Sequence, residues 1–176
     1  MNVPGLASPV DALDHSRGPA RAPVTLVEYG DYQCRHCWRA HGVLEDLVDR
    51  VGDGMRFVFR HFPLVDLHPH AWPAALAAEA AADADRFWVM HALLFSHQDR
   101  LAEGDLAGYA RRLGLRDAGA IGYRAREHHE RVKRDLASGE ASGVAGTPVL
   151  FLNGRRYRGP VDLDSLTEAV RDTPTG

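Results

Sequence analysis

The sequence predicts an α/β fold with a mixed central sheet, in the order β-α-β, helical insertion, β-β-α. Strand-like runs lie at 24–29 and 55–62 in the first half of the chain and at 149–158 near its end. Between 65 and 143 no strand signal appears, and apolar residues recur at the three- to four-residue spacing of helices. The first two strands flank a helix, so they must be parallel, whereas the later strands form an antiparallel hairpin.

The first unit consists of the run Val24–Tyr29, a helix, and the run Met55–Phe62. The first run is short, apolar and β-branched, as in buried strands. Gly52 stands where helices commonly end, and Arg35 and His36 fall in the first turn of the helix. Its buried face is marked by apolar residues at helical spacing: Ala40, Val43, Leu44, Leu47, Val48 and Val51.

The insertion and the C-terminal unit follow from the same patterns. We expect four helices in the insertion: Trp72–Ala84, Phe87–Phe95, a short helix from an Asp105 N-cap to Leu113, and a charged helix containing Ile121 to Leu136. Asn153-Gly154 is a strong hairpin signal between Val149–Leu152 and Arg155–Arg158. Asp162 is the expected N-cap of the last helix.

Composition limits the classes of protein to consider. Of the 176 residues, 45% are hydrophobic and 26% are charged, which is typical of a globular domain. The net charge of −3 argues against nucleic-acid or anionic-membrane partners. No apolar run is long enough to span a bilayer, and the N-terminus lacks the pattern of a secretory signal. With Met1 as the native start we therefore expect a cytoplasmic protein, in which structural disulfides are rare.

The only two cysteines, Cys34 and Cys37, are three positions apart at the start of the first helix. That spacing places their Cα atoms roughly 5–6 Å apart, within reach of a disulfide. Cys34 lies at the helix N-terminus, where free N–H groups and the dipole favour a thiolate. Arg35 adds a positive charge and His36 adds a donor, while Cys37 faces the apolar side. The pattern favours a reactive outer thiol with a shielded partner.

Two other interpretations of the pair stay open from these residues alone. A zinc site needs four ligands, so two histidines, with His68 and His70 as the nearest candidates, would have to complete it. Alternatively, the cysteines are inert members of the core, since free cysteine is often buried.

Three motifs together resemble one family: Cys34-Arg35-His36-Cys37 directly after a strand, Gly146-Thr147-Pro148 directly before one, and Arg60-His61-Phe62-Pro63-Leu64 ahead of the helical insertion. Over residues 14–172 the chain resembles the thiol–disulfide oxidoreductases of the thioredoxin fold, and within them the DsbA-like group. The cysteine motif keeps the histidine of that group but has Arg35 where the best-known members have proline.

The resemblance implies a single thioredoxin-like domain over residues 1–176. Its core would comprise 18–64 and 144–172, with the inserted helical segment at 65–143 and an N-terminal tail at 1–17. The prolines and glycines of the tail predict a mobile segment with at most a short edge strand near Ala12–His15.

The resemblance also implies roles for individual residues. Cys34 would attack the substrate and Cys37 would resolve the mixed disulfide, with Arg35 and His36 tuning the pair. Glu28, an acid inside an apolar strand, matches the family's buried proton acceptor; the alternative is an ion pair with a nearby Lys or Arg. A cis Thr147–Pro148 bond would present the Thr147 backbone to a substrate strand, and Trp38 would add an apolar substrate surface.

We therefore expect an enzyme that exchanges disulfides with protein or peptide substrates, with glutathione as a further candidate, and that needs neither cofactor nor metal. The competing hypothesis is a non-catalytic peptide-binding or redox-sensor module on the same scaffold. The sequence sets neither the direction of electron flow nor the oligomeric state.

Overall fold

The protein is represented by a computed structural model that describes residues 5–115 and 126–174. Its strands are β1 (His15–Arg17), β2 (Val24–Gly30), β3 (Met55–His61), β4 (Val149–Leu152) and β5 (Arg155–Arg156). Its helices are α1 (Arg35–Val51), α2 (Ala71–Ala82), α3 (Phe87–Ser96), α4 (Glu103–Arg112), α5 (Arg126–Ala141) and α6 (Leu163–Asp172), with a short 3-10 turn at Gly52–Gly54. Within the described ranges, no helix has the length and apolarity needed to cross a membrane.

The five strands form one mixed sheet in the order β1-β3-β2-β4-β5. Strands β2 and β3 are parallel, with Val24 opposite Met55 and Gly30 opposite His61. Every other pairing in this sheet is antiparallel. This confirms the predicted thioredoxin-like fold: the parallel pair encloses α1, the helical insertion follows β3, and the hairpin returns beside β2.

Both faces of the sheet are covered, because successive strand residues point to opposite sides. Leu26 and Phe57 face a core that also holds Leu44 of α1 and Leu166 of α6. On the opposite face lie Val27, Tyr29, Val58 and Phe151, against which Leu136 of α5 packs together with Leu6 and Val10 from the N-terminal segment. The buried face of α1 thus shares one core with the central strands and α6.

Several predicted boundaries differ from the structure. Helix α4 begins at Glu103 with Ala102 as its N-cap, so the predicted Asp105 cap is wrong. Asp105 lies in the first turn, where the helix dipole also favours an acid, and sequence does not separate the two positions. Strand β5 contains only two residues. The expected start of the last insertion helix at Ile121 lies outside the described residues.

The prediction of a mobile N-terminal tail is wrong for the described part of that segment. The Leu6 N–H donates to the Gly154 carbonyl at 2.8 Å, and the Ala7 N–H donates to Ser142 Oγ at 3.0 Å. The carbonyls of Ser8 and Pro9 accept hydrogen bonds from buried Arg60. Prolines and glycines exclude regular structure, but the carbonyls of an irregular segment can still satisfy a buried guanidinium.

Candidate active site

Cys34 is the N-cap of α1, directly after the loop that follows β2. Its N–H donates to the Asp31 carbonyl at 3.1 Å, and the free N–H groups of the first helical turn lie beside its sulfur. Cys37 is one turn further along and fully buried, with its sulfur accepting from the Asp31 N–H at 3.4 Å. Both cysteines are free thiols, so the structure shows the reduced pair.

The two thiols have very different acidities. The pKa of Cys34 is lowered to about 5, mainly because the Cys37 thiol donates to its sulfur; Thr147 and the backbone N–H groups of Cys37 and His36 add to this. The pKa of Cys37 is raised well above its ordinary value, first by burial and then by Cys34 and Glu28. At neutral pH the pair is a Cys34 thiolate next to a protonated Cys37.

Arg35 and His36 lie in the first turn of α1, as predicted, but both side chains are exposed. Neither side-chain charge is among the causes that lower the pKa of Cys34; His36 contributes through its backbone N–H. The helix terminus contributes as predicted, the neighbouring thiol is the largest contributor, and the expected additions from the Arg35 and His36 side chains are not found.

Glu28 is buried on β2 on the same face as Leu26, which looks toward α1. Within the described ranges its Oε1 has no hydrogen-bond partner and no cation pairs with its carboxyl, which contradicts the ion-pair alternative. Burial, together with the charges of Glu45 and Cys34, raises the pKa of Glu28 to about 8. Because the Glu28 charge in turn raises the pKa of Cys37, the two groups are electrostatically linked.

The Thr147–Pro148 peptide bond is cis, as the family resemblance implies. The sulfur of Cys34 lies 3.5 Å from the carbonyl oxygen of Thr147, which precedes β4. Thr147 and Pro148 line a cleft of about 330 Å³ together with His36 and Arg39. Trp38 is half exposed on α1 and is not part of that cleft's lining.

One residue that sequence reasoning missed is Gln98, in the segment between α3 and α4. Its Nε2 donates to the carbonyl of Tyr32 at 2.7 Å and to that of Cys34 at 2.8 Å. The helical insertion thus holds the loop on which the reactive sulfur is mounted. A single glutamine in an irregular segment carries no pattern by which the sequence could have identified it.

Asp31 is the second missed residue, and it fixes the other side of the same loop. Its Oδ2 accepts from the Leu64 N–H at 2.9 Å and from His68 Nδ1 at 2.8 Å, while its Oδ1 accepts from the Gln33 N–H at 2.7 Å. His68, which the sequence offered as a candidate zinc ligand, thus forms a hydrogen bond with the Asp31 carboxylate.

Metal donors do converge elsewhere in the described part of the chain, in the groups His15/His61/Glu79 and His41/Glu45/His91. Neither group contains Cys34 or Cys37. The structure gives no support to a zinc site built on the cysteine pair.

We expect alkylation of Cys34 to follow a titration with its midpoint near pH 5, since only the thiolate reacts and the pKa is lowered to about 5. The rate should be flat above about pH 7 and fall as the pH drops through 5. In Cys37→Ala the midpoint should rise toward the ordinary value of about 8.5, because the main donor is lost. In Arg35→Ala it should hardly move. Iodoacetamide kinetics from pH 3 to 9 measure both shifts; equal effects of the two substitutions would contradict this explanation.

A family model described as Thioredoxin matches residues 11–172. The chain belongs to this family. The match includes both cysteines, the cis-proline loop and the whole helical insertion.

Solved structures show the same fold in DsbA-like proteins. A thioredoxin-like oxidoreductase from Silicibacter pomeroyi is 28% identical, with a TM-score of 0.79 and coverage of 92% of each chain. The thiol–disulfide exchange protein α-DsbA2 from Wolbachia pipientis is 22% identical, with a TM-score of 0.79 over 92% of this chain and 88% of that one. The fold is therefore that of DsbA-like thiol–disulfide oxidoreductases, and Cys34 and Cys37 occur in it as a CxxC motif.

Curated relatives of this chain are named as Na⁺/H⁺ antiporters. The Na⁺/H⁺ antiporter NhaA 3 of Salinispora tropica is 47% identical over 173 residues, which is 94% of this chain but 26% of the relative. The chain thus spans about a quarter of the length of the curated relatives that it matches.

The prediction of a cytoplasmic protein is contradicted by these comparisons. The curated relatives are named as Na⁺/H⁺ antiporters. A periplasmic thioredoxin-like protein from Salmonella enterica, 20% identical with a TM-score of 0.76 over 92% of this chain and 90% of that one, shares the fold. The prediction depended on where the sequence begins. The chemistry of the cysteine pair itself operates in either redox environment.

Proposed function

We propose that the Cys34–Cys37 pair exchanges disulfides with protein or peptide substrates. The observation that carries this proposal is the asymmetry of the pair: a Cys34 thiolate at the mouth of α1 and a protonated, buried Cys37 one turn behind it. Such an arrangement gives one sulfur the nucleophilic role and protects the other until the first step is complete.

The exchange proceeds in two displacements. The Cys34 thiolate attacks a substrate disulfide, forming a Cys34–substrate bond and releasing the second substrate sulfur as a thiolate. Cys37 then loses its proton and attacks the Cys34 sulfur, which forms the enzyme disulfide and releases the first substrate sulfur. Two electrons pass from the enzyme pair to the substrate, and the reverse sequence oxidises a substrate dithiol.

The cis-proline loop is the proposed substrate platform. The Thr147 backbone lies beside Cys34, as the 3.5 Å contact between the Cys34 sulfur and the Thr147 carbonyl shows. An extended peptide could pair with this backbone by β-augmentation, which would bring its sulfur to Cys34 without demanding a particular side chain. Trp38, half exposed on α1, offers an apolar contact at the side of the pair.

Glu28 is proposed as the proton acceptor for Cys37, because its raised pKa of about 8 lets it exchange a proton near neutral pH. Glu28→Gln should slow the resolving step by about 100-fold while leaving Cys34 alkylation nearly unchanged. Stopped-flow decay of a pre-formed mixed disulfide measures that step.

The same variant has a stability signature with a definite sign. As the pH rises, Glu28 ionises at a lower pH in the unfolded chain than in the folded protein, because folding raises its pKa to about 8. The wild type therefore loses stability between about pH 4 and pH 8. Glu28→Gln lacks this loss and should be the more stable protein at pH 7. Slower resolution without this gain would point to a damaged fold instead of a lost acceptor.

The decisive experiment combines the reduction potential with turnover of a peptide disulfide. A thiolate pKa of about 5 stabilises the reduced form, so the potential should lie between about −270 mV, as in thioredoxin, and about −120 mV, as in DsbA. Equilibration in glutathione buffers gives the potential, and the same mixtures show whether glutathione itself is a substrate. Absence of catalysed exchange with any disulfide would defeat the proposal.

The curated relatives favour a second candidate, a redox-sensing module that acts on a Na⁺/H⁺ antiporter. The identity of 47% over 94% of this chain supports it. Under this hypothesis the oxidised and reduced chains bind the purified Salinispora antiporter with different affinities, and peptide disulfides are not turned over. Binding of both redox forms, measured beside turnover, separates a sensor from an enzyme.

A further inference from the structure

Two arginines, Arg39 and Arg158, line clefts at the cis-proline loop. Six arginines in the described ranges pair with carboxylates: Arg17, Arg50, Arg60, Arg100, Arg131 and Arg134. Arg39 and Arg158 are exposed and, like the exposed Arg35 and Arg155, form no side-chain hydrogen bond or ion pair within the same ranges. Their charges are therefore available to a ligand.

These two arginines lie in adjoining clefts on either side of the cis-proline loop. The first cleft, of about 330 Å³, includes His36, Arg39 and Thr147 in its lining. The second, of about 300 Å³, includes Arg156, Tyr157 and Arg158. Pro148 and Val161 line both clefts, so the two clefts adjoin at these residues, and we refer to the two together as the groove. The first cleft includes Thr147, whose carbonyl lies 3.5 Å from the Cys34 sulfur.

The groove has a positive charge that contrasts with the rest of the protein. None of the described residues that line it is acidic, although the chain as a whole has a net charge of −3. Asp162, which follows Val161, accepts from the Ser165 N–H at 2.9 Å and from its hydroxyl at 2.8 Å. Its carboxylate caps α6 and keeps its charge, and together with Glu168 it acts on Tyr157 of the second cleft. Among the described residues, neither acid forms an ion pair with Arg39 or Arg158.

We propose that this groove selects extended peptide segments that carry acidic residues beside their disulfide-bonded cysteine. The inference rests on the proposed thiol–disulfide exchange and adds a substrate class to it. A segment lying along Thr147–Pro148 places its cysteine at Cys34 and its flanking carboxylates toward Arg39 on one side and Arg158 on the other. The groove extends to both sides of Pro148, which suits a peptide of several residues at about 3.3 Å each.

The chemistry is that of the proposed exchange. The Cys34 sulfur bonds to the cysteine sulfur of the bound segment, the substrate disulfide breaks, and its second sulfur leaves as a thiolate. The substrate disulfide is the oxidant and the reduced pair is the reductant. The arginines take no part in these bonds; they act on encounter and binding, where exposed charges chiefly change association rates.

The test uses two peptide disulfides that differ only in having glutamate or lysine beside the cysteine. The wild type should reduce the glutamate peptide about fivefold faster at low ionic strength, and the preference should shrink in 0.5 M salt, where the screening length is about 4 Å. Arg39→Glu and Arg158→Glu should each reduce or invert the preference. Arg111→Glu, the same charge change at an exposed position on α4, should retain it.

Each outcome has a separate meaning. If the wild type reduces both peptides equally, or if both groove variants retain the preference as Arg111→Glu does, the acidic-peptide inference is wrong while the exchange activity stands. Faster turnover of glutathione disulfide than of either peptide would also overturn it, since a small anionic disulfide would then be the preferred occupant. If the wild type exchanges no disulfide at all, the proposed function itself fails.

Discussion

Cys34→Ser is expected to reduce disulfide exchange to the uncatalysed rate, because a serine oxygen cannot form the mixed disulfide through which both displacements pass. Cys37 remains in this variant, but it is fully buried and its pKa is raised well above the ordinary value, so it supplies almost no thiolate. Turnover of a peptide disulfide with glutathione as the electron donor measures the loss.

Cys37→Ser is the matched control for that experiment, since it removes the other sulfur by the same atom exchange. The Cys34 thiolate should still attack, and the mixed disulfide should accumulate because no thiol is available to resolve it. Mass spectrometry of the acid-quenched reaction detects the adduct. Residual turnover in Cys34→Ser, or an adduct on Cys37 in that variant, would reverse the assignment of the attacking and resolving sulfurs.

Local patterns carried most of what the sequence could predict. The short apolar, β-branched run of β2 and the period of three to four in α1 predicted that Cys34 lies at a helix mouth. The cis Thr147–Pro148 bond next to the pair was implied by the family resemblance, since 113 residues separate Thr147 from Cys34. The position of Cys34 in its helix, by contrast, needs only a short stretch of chain.

Contacts that depend on packing between distant segments could not be predicted in this way. Gln98 reaches the Cys34 carbonyl from 64 residues away, and no periodicity marks a side chain that bonds to a backbone group of another segment. The docked N-terminal segment was missed for the same reason: its partner is the side chain of Arg60, which the sequence shows only as a strand residue. Arg35 and His36 were expected to add to the effect of the helix terminus on the Cys34 pKa, because their exposure is a tertiary property that the sequence does not show.

Arg60 is the charged residue on which this docking depends, and it is almost completely buried. Its Nε and one Nη donate to the two carboxylate oxygens of Asp14 at 2.8 and 2.9 Å. The other Nη faces the hydroxyls of Tyr29 and Ser138 at 3.0 Å each. A buried guanidinium is tolerated when its donors are satisfied and its charge is balanced, and Asp14 is the acid that balances it here.

Asp14→Ala is accordingly expected to lower the free energy of unfolding by about 3–5 kcal/mol at pH 7, since it leaves a buried positive charge unpaired. Asp164→Ala, which removes an exposed carboxylate from the Arg50 pair, should cost no more than about 1 kcal/mol. Urea unfolding compares the two variants.

The pH dependence of the Asp14 effect gives a second measurement. The pKa of Asp14 is lowered in the folded protein, and bonding and charge from Arg60 outweigh the raising effect of burial. Its stabilising contribution is therefore complete above the unfolded pKa of about 3.9 and is lost as the pH falls below that value. The difference in the free energy of unfolding between wild type and Asp14→Ala should shrink over that range.

In Asp14→Ala/Arg60→Met no unpaired charge remains, so the double variant should be more stable than Asp14→Ala alone. A still less stable double variant would mean that the bonds of Arg60 to Ser8, Pro9, Tyr29 and Ser138 outweigh its charge.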